Sequence, residues 1–237
     1  MIYISKIRNR RPQESRTTYP YSIPSIINLE ELNLRKEVTF IIGENGSGKS
    51  TLVEAIAINA GFNPEGGSRN FNFSTQDSHS VLYEDIQLIR TAYRNRDGFF
   101  LRAESFYNVA TAVDDYLVQG AYGGSLHMRS HGESFLALLH NRLHGNGLYI
   151  FDEPESALSM ISQMNMLVRI QQLVDRSSQF IIATHSPILM AYPDADIYQV
   201  SPEGIHPIAY KDTEQYRLTK YFMNNHMKML AELGLDI

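Results

Sequence analysis

The stretch Val38-Thr39-Phe40-Ile41-Ile42-Gly43-Glu44-Asn45-Gly46-Ser47-Gly48-Lys49-Ser50-Thr51 runs from an apolar, β-branched segment straight into the spacing G-x-x-x-x-G-K-S. This is the pattern of a phosphate-binding loop, in which glycines let backbone N–H groups close around phosphate oxygens. Behind it, Lys49 to Ala60 has the apolar spacing of a helix, and Gly61 stops it. The order strand, loop, helix puts a positive dipole end against the anion. Lys49 supplies a mobile charge, and Ser50 offers a hydroxyl to Mg²⁺. Gly43, Glu44, Asn45, Gly46, Ser47, Gly48, Lys49, Ser50 and Thr51 are therefore the candidate nucleotide-binding residues.

Outward from this loop, the composition is that of an ordinary globular protein. The chain has 237 residues, 43% of them hydrophobic and 20% charged, which suggests neither a disordered nor a membrane protein and allows one full core. The longest apolar runs are strand-sized, and the first residues, MIYISKIRNRR, lack the apolar stretch and cleavage site of a secretory signal. A cytoplasmic location is expected. Zero cysteines remove disulfides, thiolate metal sites and cysteine nucleophiles together. A net charge of −5 argues against a generally basic nucleic-acid binder, and the cluster Arg8, Arg10 and Arg11 reads as a solvated loop.

Met1 to Ile7 reads as an opening strand and Asn9 to Pro24 as loop, with Tyr19 and Tyr21 as candidates to stack on a base. Gly66 begins a polar loop. Val81 to Tyr93 predicts a helix with Leu82, Ile86, Ile89 and Tyr93 on one side. Gly98 to Leu101 is a short buried strand, followed by Glu104 and a helix to Val118. After a glycine-rich break at Gly120 to Gly124, Ser130-His131-Gly132-Glu133-Ser134 precedes an apolar helix, Phe135 to Leu143. Small residues at a helix start suit an anion, although plain N-capping explains them as well.

A second decisive signal is Gly147-Leu148-Tyr149-Ile150-Phe151-Asp152-Glu153-Pro154, an apolar strand that delivers two acids to the carboxyl edge of a parallel sheet. Asp152 there is placed to hold Mg²⁺, and Glu153 to orient and deprotonate water. Leu158 to Val174 is helical, and its Met160, Met164 and Met166 read as core or as an adaptable contact face. The strand Gln179 to Ala183 ends at Thr184-His185-Ser186-Pro187, which places His185 to sense a γ-phosphate. A hairpin over 196–210 and one or two helices over 212–235 close the chain without recognisable chemistry.

With phosphate loop, SHGES, DEPES and THSP in this order, the chain resembles the ABC-type P-loop ATPases, especially stand-alone ATPases related to SMC and RecF heads. The resemblance is good over roughly Ile41 to Pro187. It implies an α/β P-loop NTPase fold, a central mostly parallel sheet flanked by helices, with a short helical subdomain. One domain over 1–237 is expected, with a signature lobe at about 98–145 and a C-terminal hairpin and helices over 196–237. It further implies ATP and Mg²⁺ as cofactors, and an ATP-sandwiched homodimer in which Ser130 and Gly132 of one copy close on the γ-phosphate held by the other. Lys49, Glu153 and His185 become the catalytic residues. Ser50, Asp152 and Glu104 become the metal residues, Glu104 falling where the family places a Q-loop glutamine. Ser156-Ala157-Leu158 matches the start of the D-loop.

The departures point to slow hydrolysis. The signature reads RSHGE where transporters favour LSGGQ, Glu104 is charged, and Ser159 replaces a common aspartate. Only 26 positions separate Glu104 from Ser130, too few for a transporter-type helical subdomain, and the 81 positions from Lys49 to Ser130 hold no sustained heptads. The leading expectation is an ATPase head without an arm that signals to or drives an unknown protein or nucleic-acid partner. A DNA-repair or defence-like role rests on the resemblance alone. The alternatives are a slow ATP-dependent binding switch and the nucleotide-binding subunit of a transporter.

Overall fold

The computed structural model describes residues 1–69, 80–115, 120, 124 and 131–235. Its centre is a six-stranded sheet. The strands are β3 (Val38–Gly43), β5 (Asp97–Arg102), β6 (Gly147–Asp152), β7 (Gln179–Ala183), β8 (Asp196–Ser201) and β9 (Gly204–Pro207), in the order β5-β6-β7-β3-β8-β9. All neighbours are parallel except the β8–β9 hairpin. The pairing Ile41↔Ala183 and Asp152↔Ala183 brings three strand ends level, with β7 between the glycine loop and the acidic pair.

The apolar runs are continuous because both faces of this sheet are covered. Since successive side chains alternate sides, Phe40, Ile42, Phe99, Leu101, Tyr149, Phe151, Phe180 and Ile182 enter one core, packed by α3 (Phe106–Asp115), α4 (His131–Asn141) and α5 (Met160–Val174). Ile41, Phe100, Leu148, Ile150, Ile181 and Ala183 enter the other, against the short α1 (Pro24–Ile27) and α2 (Lys49–Asn59). Truncating a ring such as Phe40 to alanine costs about 3–5 kcal/mol in such a core.

A smaller antiparallel sheet, β2-β1-β4, is built from β1 (Ile4–Asn9), β2 (Glu31–Asn33) and β4 (Ile86–Arg90). Gln179 fastens it to the main sheet. Its buried side-chain oxygen accepts from Tyr3 N (2.8 Å) and Ile4 N (2.9 Å), and its amide donates to Ile4 O (2.8 Å).

Three expectations change. Val81 to Tyr93 is not one helix: a single 3₁₀ turn, Val81–Glu84, leads into β4, which pairs with β1 through Ile86↔Asn9 and Leu88↔Ile7. The segment carries both periods, and the waiting edge of β1 selects the strand, a choice made by tertiary pairing. The second apolar helix begins at His131 rather than Phe135, so Gly132 and Glu133 lie in its first turn. The cluster Arg8, Arg10 and Arg11, read as a solvated loop, is tied down instead: Arg8 lies on β1 and reaches Glu31 at 2.6 Å, Arg11 reaches Asp85 at 3.2 Å, and Arg10 donates to the neutral Glu84 carbonyl. At the C-terminus, α6 (Glu214–Glu232) carries a kink at Asn225 and buries none of its residues.

Candidate nucleotide site

The loop geometry explains its glycines. Gly46 (φ 78°) and Gly48 (φ 99°) occupy the left-handed region, and a Cβ on Gly48 meets Ile23 Cγ2 at 2.8 Å. At Gly43 a Cβ meets Val200 O at 2.5 Å, so β3 and β8 approach too closely there for any side chain. Lys49 is buried at the start of α2, and its Nζ donates to Glu44 O at 2.7 Å. Burial pushes the Lys49 ammonium pKa down, opposed by the nearby Glu153 and Asp152 carboxylates.

Ser50 Oγ donates to Asp152 Oδ1 at 3.1 Å, which joins the two signals 102 residues apart in the chain. Asp152 is nearly sealed from solvent. Burial pushes its carboxyl up to about 6, although the Arg102 guanidinium and the Ser50 hydrogen bond pull the other way. Glu153 follows in the left-handed region (φ 51°, ψ 50°), an unfavourable conformation for a non-glycine residue. Its N–H donates to Ala183 O at 3.0 Å, and its Oε1 lies 3.5 Å from His185 Nε2. His185 is held from behind, its N–H donating to Glu155 Oε1 at 2.5 Å.

Ser50, Arg102, Glu104, Asp152, Glu153 and Ser156 share one cavity of about 290 Å³. Buried polar atoms without a hydrogen-bond partner include Ser47 Oγ on the loop, Arg102 Nε and His185 Nε2. The unpaired Ser47 Oγ on the glycine loop and His185 Nε2 beyond β7 are potential donors that suit an anion such as a terminal phosphate. Ser50 and Asp152 fit as a hydroxyl–carboxylate pair for Mg²⁺. Glu104 reaches this cavity but is largely exposed and tied to Arg102 at 3.4 Å. No cluster of three His, Cys, Asp or Glu residues suited to a metal occurs among the described residues.

The sequence reading missed two residues. Arg102, at the end of β5, pairs with the buried Glu54 of α2 at 2.5 Å and lies 3.8 Å from Asp152. Its place two residues before Glu104 was the available signal. Gln163 of α5 donates to Leu158 O at 3.1 Å and accepts from Ser186 Oγ at 2.5 Å, so it ties the turn after the acidic strand to the segment carrying His185. Nothing local in the sequence marks it.

Of the signature pair, Ser130 lies outside the described residues. Gly132 sits where a Cβ meets Ala157 O at 2.9 Å, a packing reason for glycine within the chain itself. Tyr21 is removed as a base-stacking residue: it is buried, covered by Arg11 at 4.0 Å, and donates to Val81 O. Tyr19 is exposed. Of the three methionines, Met166 is core, while Met160 and Met164 are on the surface.

An AAA domain family model matches residues 23–112, less than half of the chain. No curated protein sequence matches. Among solved structures, the chain is similar to a metal-chelate type ABC transporter in an inward-facing conformation (17% identity, TM-score 0.53, 94% of this chain and 90% of that one). It is also similar to cbiO1 from Clostridium perfringens, part of the ABC transporter complex cbiONQ (16% identity, TM-score 0.52, 98% and 100%). The SMC head domain from Thermotoga maritima aligns at 15% identity and TM-score 0.49, over 88% of this chain and 100% of that one. With β7 inserted between the glycine-loop strand and the acidic strand, and with motifs, sheet order and whole-length matches in agreement, the chain has the fold of an ABC-type P-loop ATPase.

Proposed function

We propose that this protein binds ATP with Mg²⁺ and hydrolyses the β–γ phosphoanhydride. The observation that carries the reading is the 3.1 Å contact between Ser50 and Asp152, with Glu153 in the same cavity and 3.5 Å from His185. The loop N–H groups and Lys49 hold the phosphates. Mg²⁺, held by Ser50 and Asp152 with Glu104 beside them, supplies charge neutralisation when bound. Glu153 takes a proton from water as its oxygen attacks the γ-phosphorus, the bond to the β-phosphate oxygen breaks, and ADP and phosphate leave. His185 donates to the γ-phosphate oxygens as charge redistributes.

In this reading the site is completed by a second copy, whose Ser130 and Gly132 close on the γ-phosphate, so ATP binding and homodimerisation are coupled. The chain is a single domain with a signature lobe at about 98–145, works in the cytoplasm, and passes its state to a partner. A slow switch is the favoured form of this activity. Arg102 already pairs with Glu104 and lies 3.8 Å from Asp152 in the same cavity, so these acids meet the cation partly satisfied. As a transporter subunit it would need a separate membrane partner, since no described helix is long and apolar enough to cross a membrane.

The test is the solution mass of Glu153→Gln with and without Mg-ATP, alongside phosphate release by the native protein. Mass doubling only with ATP, together with turnover reduced at least 100-fold by the substitution, is the expected result. No nucleotide binding, or turnover unchanged in Glu153→Gln, overturns it.

A further inference from the structure

Near the N-terminus Arg8 and Arg11 are ion-paired, whereas a different arginine cluster is not. Arg69, Arg90 and Arg94 line one cavity of about 530 Å³, together with Tyr93 and Asn95. It opens at the Ala60–Gly61 end of α2, roughly 15 Å along the helix from Lys49 at 1.5 Å per residue. None of the three arginines makes an ion pair among the described residues. Arg69 is aimed by Asn95 Oδ1, which accepts from its Nη2 at 3.2 Å, and by the ring of Phe62 beneath it at 5.4 Å. Arg90 donates to Asn59 O at 3.4 Å. Burial and the like charge of Arg90 both push the Arg69 guanidinium pKa down.

Like charges converging on a concave surface of a protein with net charge −5 repel one another, and an anion between them relieves that cost. The guanidinium forks match phosphate oxygens. Tyr93 adds an aromatic group on the same segment as Arg90 and Arg94, 59% exposed. Arginines beside an uncovered aromatic face fit a phosphate-linked chain whose bases are free to stack. A duplex keeps its bases inside the stack and has none to offer such a ring.

We propose that this cavity binds a single nucleic-acid strand, with Arg69, Arg90 and Arg94 on its phosphates and Tyr93 stacked against a base. The site is separate from the P-loop and does not depend on how ATP is processed there.

The experiment is fluorescence anisotropy of the full chain with labelled oligothymidine and oligouridine 20-mers, without nucleotide, between 50 and 200 mM salt. Native protein should bind. Arg90→Ala/Arg94→Ala should weaken binding at least tenfold and flatten the slope of log affinity against log salt by about 1.4, as expected for two lost single-strand phosphate contacts. Tyr93→Ala should weaken binding several-fold with the slope unchanged. Lys49→Ala should bind as the native protein does. All four positions of the site variants and control are read against thermal melts, which should be unchanged for the exposed Arg90, Arg94 and Tyr93. Absence of binding at 50 mM salt, or affinity unchanged in the double variant, overturns the proposal. So does loss of binding in Lys49→Ala, which places the strand at the P-loop. Full competition by tripolyphosphate together with an inert Tyr93→Ala reassigns the cavity to a free anion and also overturns it.

Discussion

Arg102 Nη1 lies 2.5 Å from Glu54 Oε2, joining the end of β5 to the middle of the P-loop helix. The Glu54 side chain is only 6% exposed, so its charge relies on that contact and on the N–H of Ser80, 2.9 Å from its other oxygen. Removing one partner of a buried pair leaves a charge uncompensated, whereas removing both often costs little. Arg102→Ala should therefore destabilise the fold by about 2–4 kcal/mol, and Arg102→Met with Glu54→Leu by much less. Urea unfolding of the single and double variants measures the difference.

Metal dependence should follow the protonation of Asp152. Burial raises its pKa to about 6, so in the metal-free protein the folded state holds its proton over the range from about 4 to 6 in which the unfolded chain loses it. Stability from this group is thus present at low pH and lost as pH rises through the folded value. Above pH 6, metal-free Asp152→Asn should melt higher than the native protein, while Mg²⁺-dependent ATP binding is abolished. In the native protein, Mg²⁺ should strengthen ATP binding at pH 8 and do so progressively less below pH 6. Titrations with a fluorescent ATP analogue across pH read this directly.

Gly132 faces the Ala157 carbonyl within one chain, and that contact can be separated from any action across a dimer. Gly132→Ala places a methyl 2.9 Å from Ala157 O and should cost about 1–3 kcal/mol in stability. Ser130→Ala carries no such prediction. If the signature acts in trans, Ser130→Ala should reduce ATP-dependent dimer formation several-fold, and mixing it with Lys49→Ala should restore one working site. Ultracentrifugation of each variant and of the mixture checks both statements.

Gln163 links the Leu158 carbonyl to the Ser186 hydroxyl. Its loss should leave nucleotide affinity within about twofold, because no P-loop atom is touched, and should lower turnover about tenfold by freeing His185 relative to Glu153. A Gln163→Leu variant assayed for ATP binding and phosphate release separates these quantities.

The sequence by itself determined the nucleotide loop, the acidic strand end and the strand carrying His185. Each is a local event: an apolar run with both faces buried, ended by residues whose backbone or charge permits little else. Val38 to Thr51 and Gly147 to Glu153 needed no distant information to be read. Tertiary structure decided the rest. Ile86 to Arg90 became a strand because β1 offers an edge that satisfies its backbone, although its own apolar spacing also suits a helix. Arg102 entered the cavity of Ser50 and Asp152, Gln163 joined two loops, and Arg69 met Arg90 and Arg94, only because elements far apart in sequence pack together. Such contacts depend on distances between segments, which no local spacing of residue types encodes.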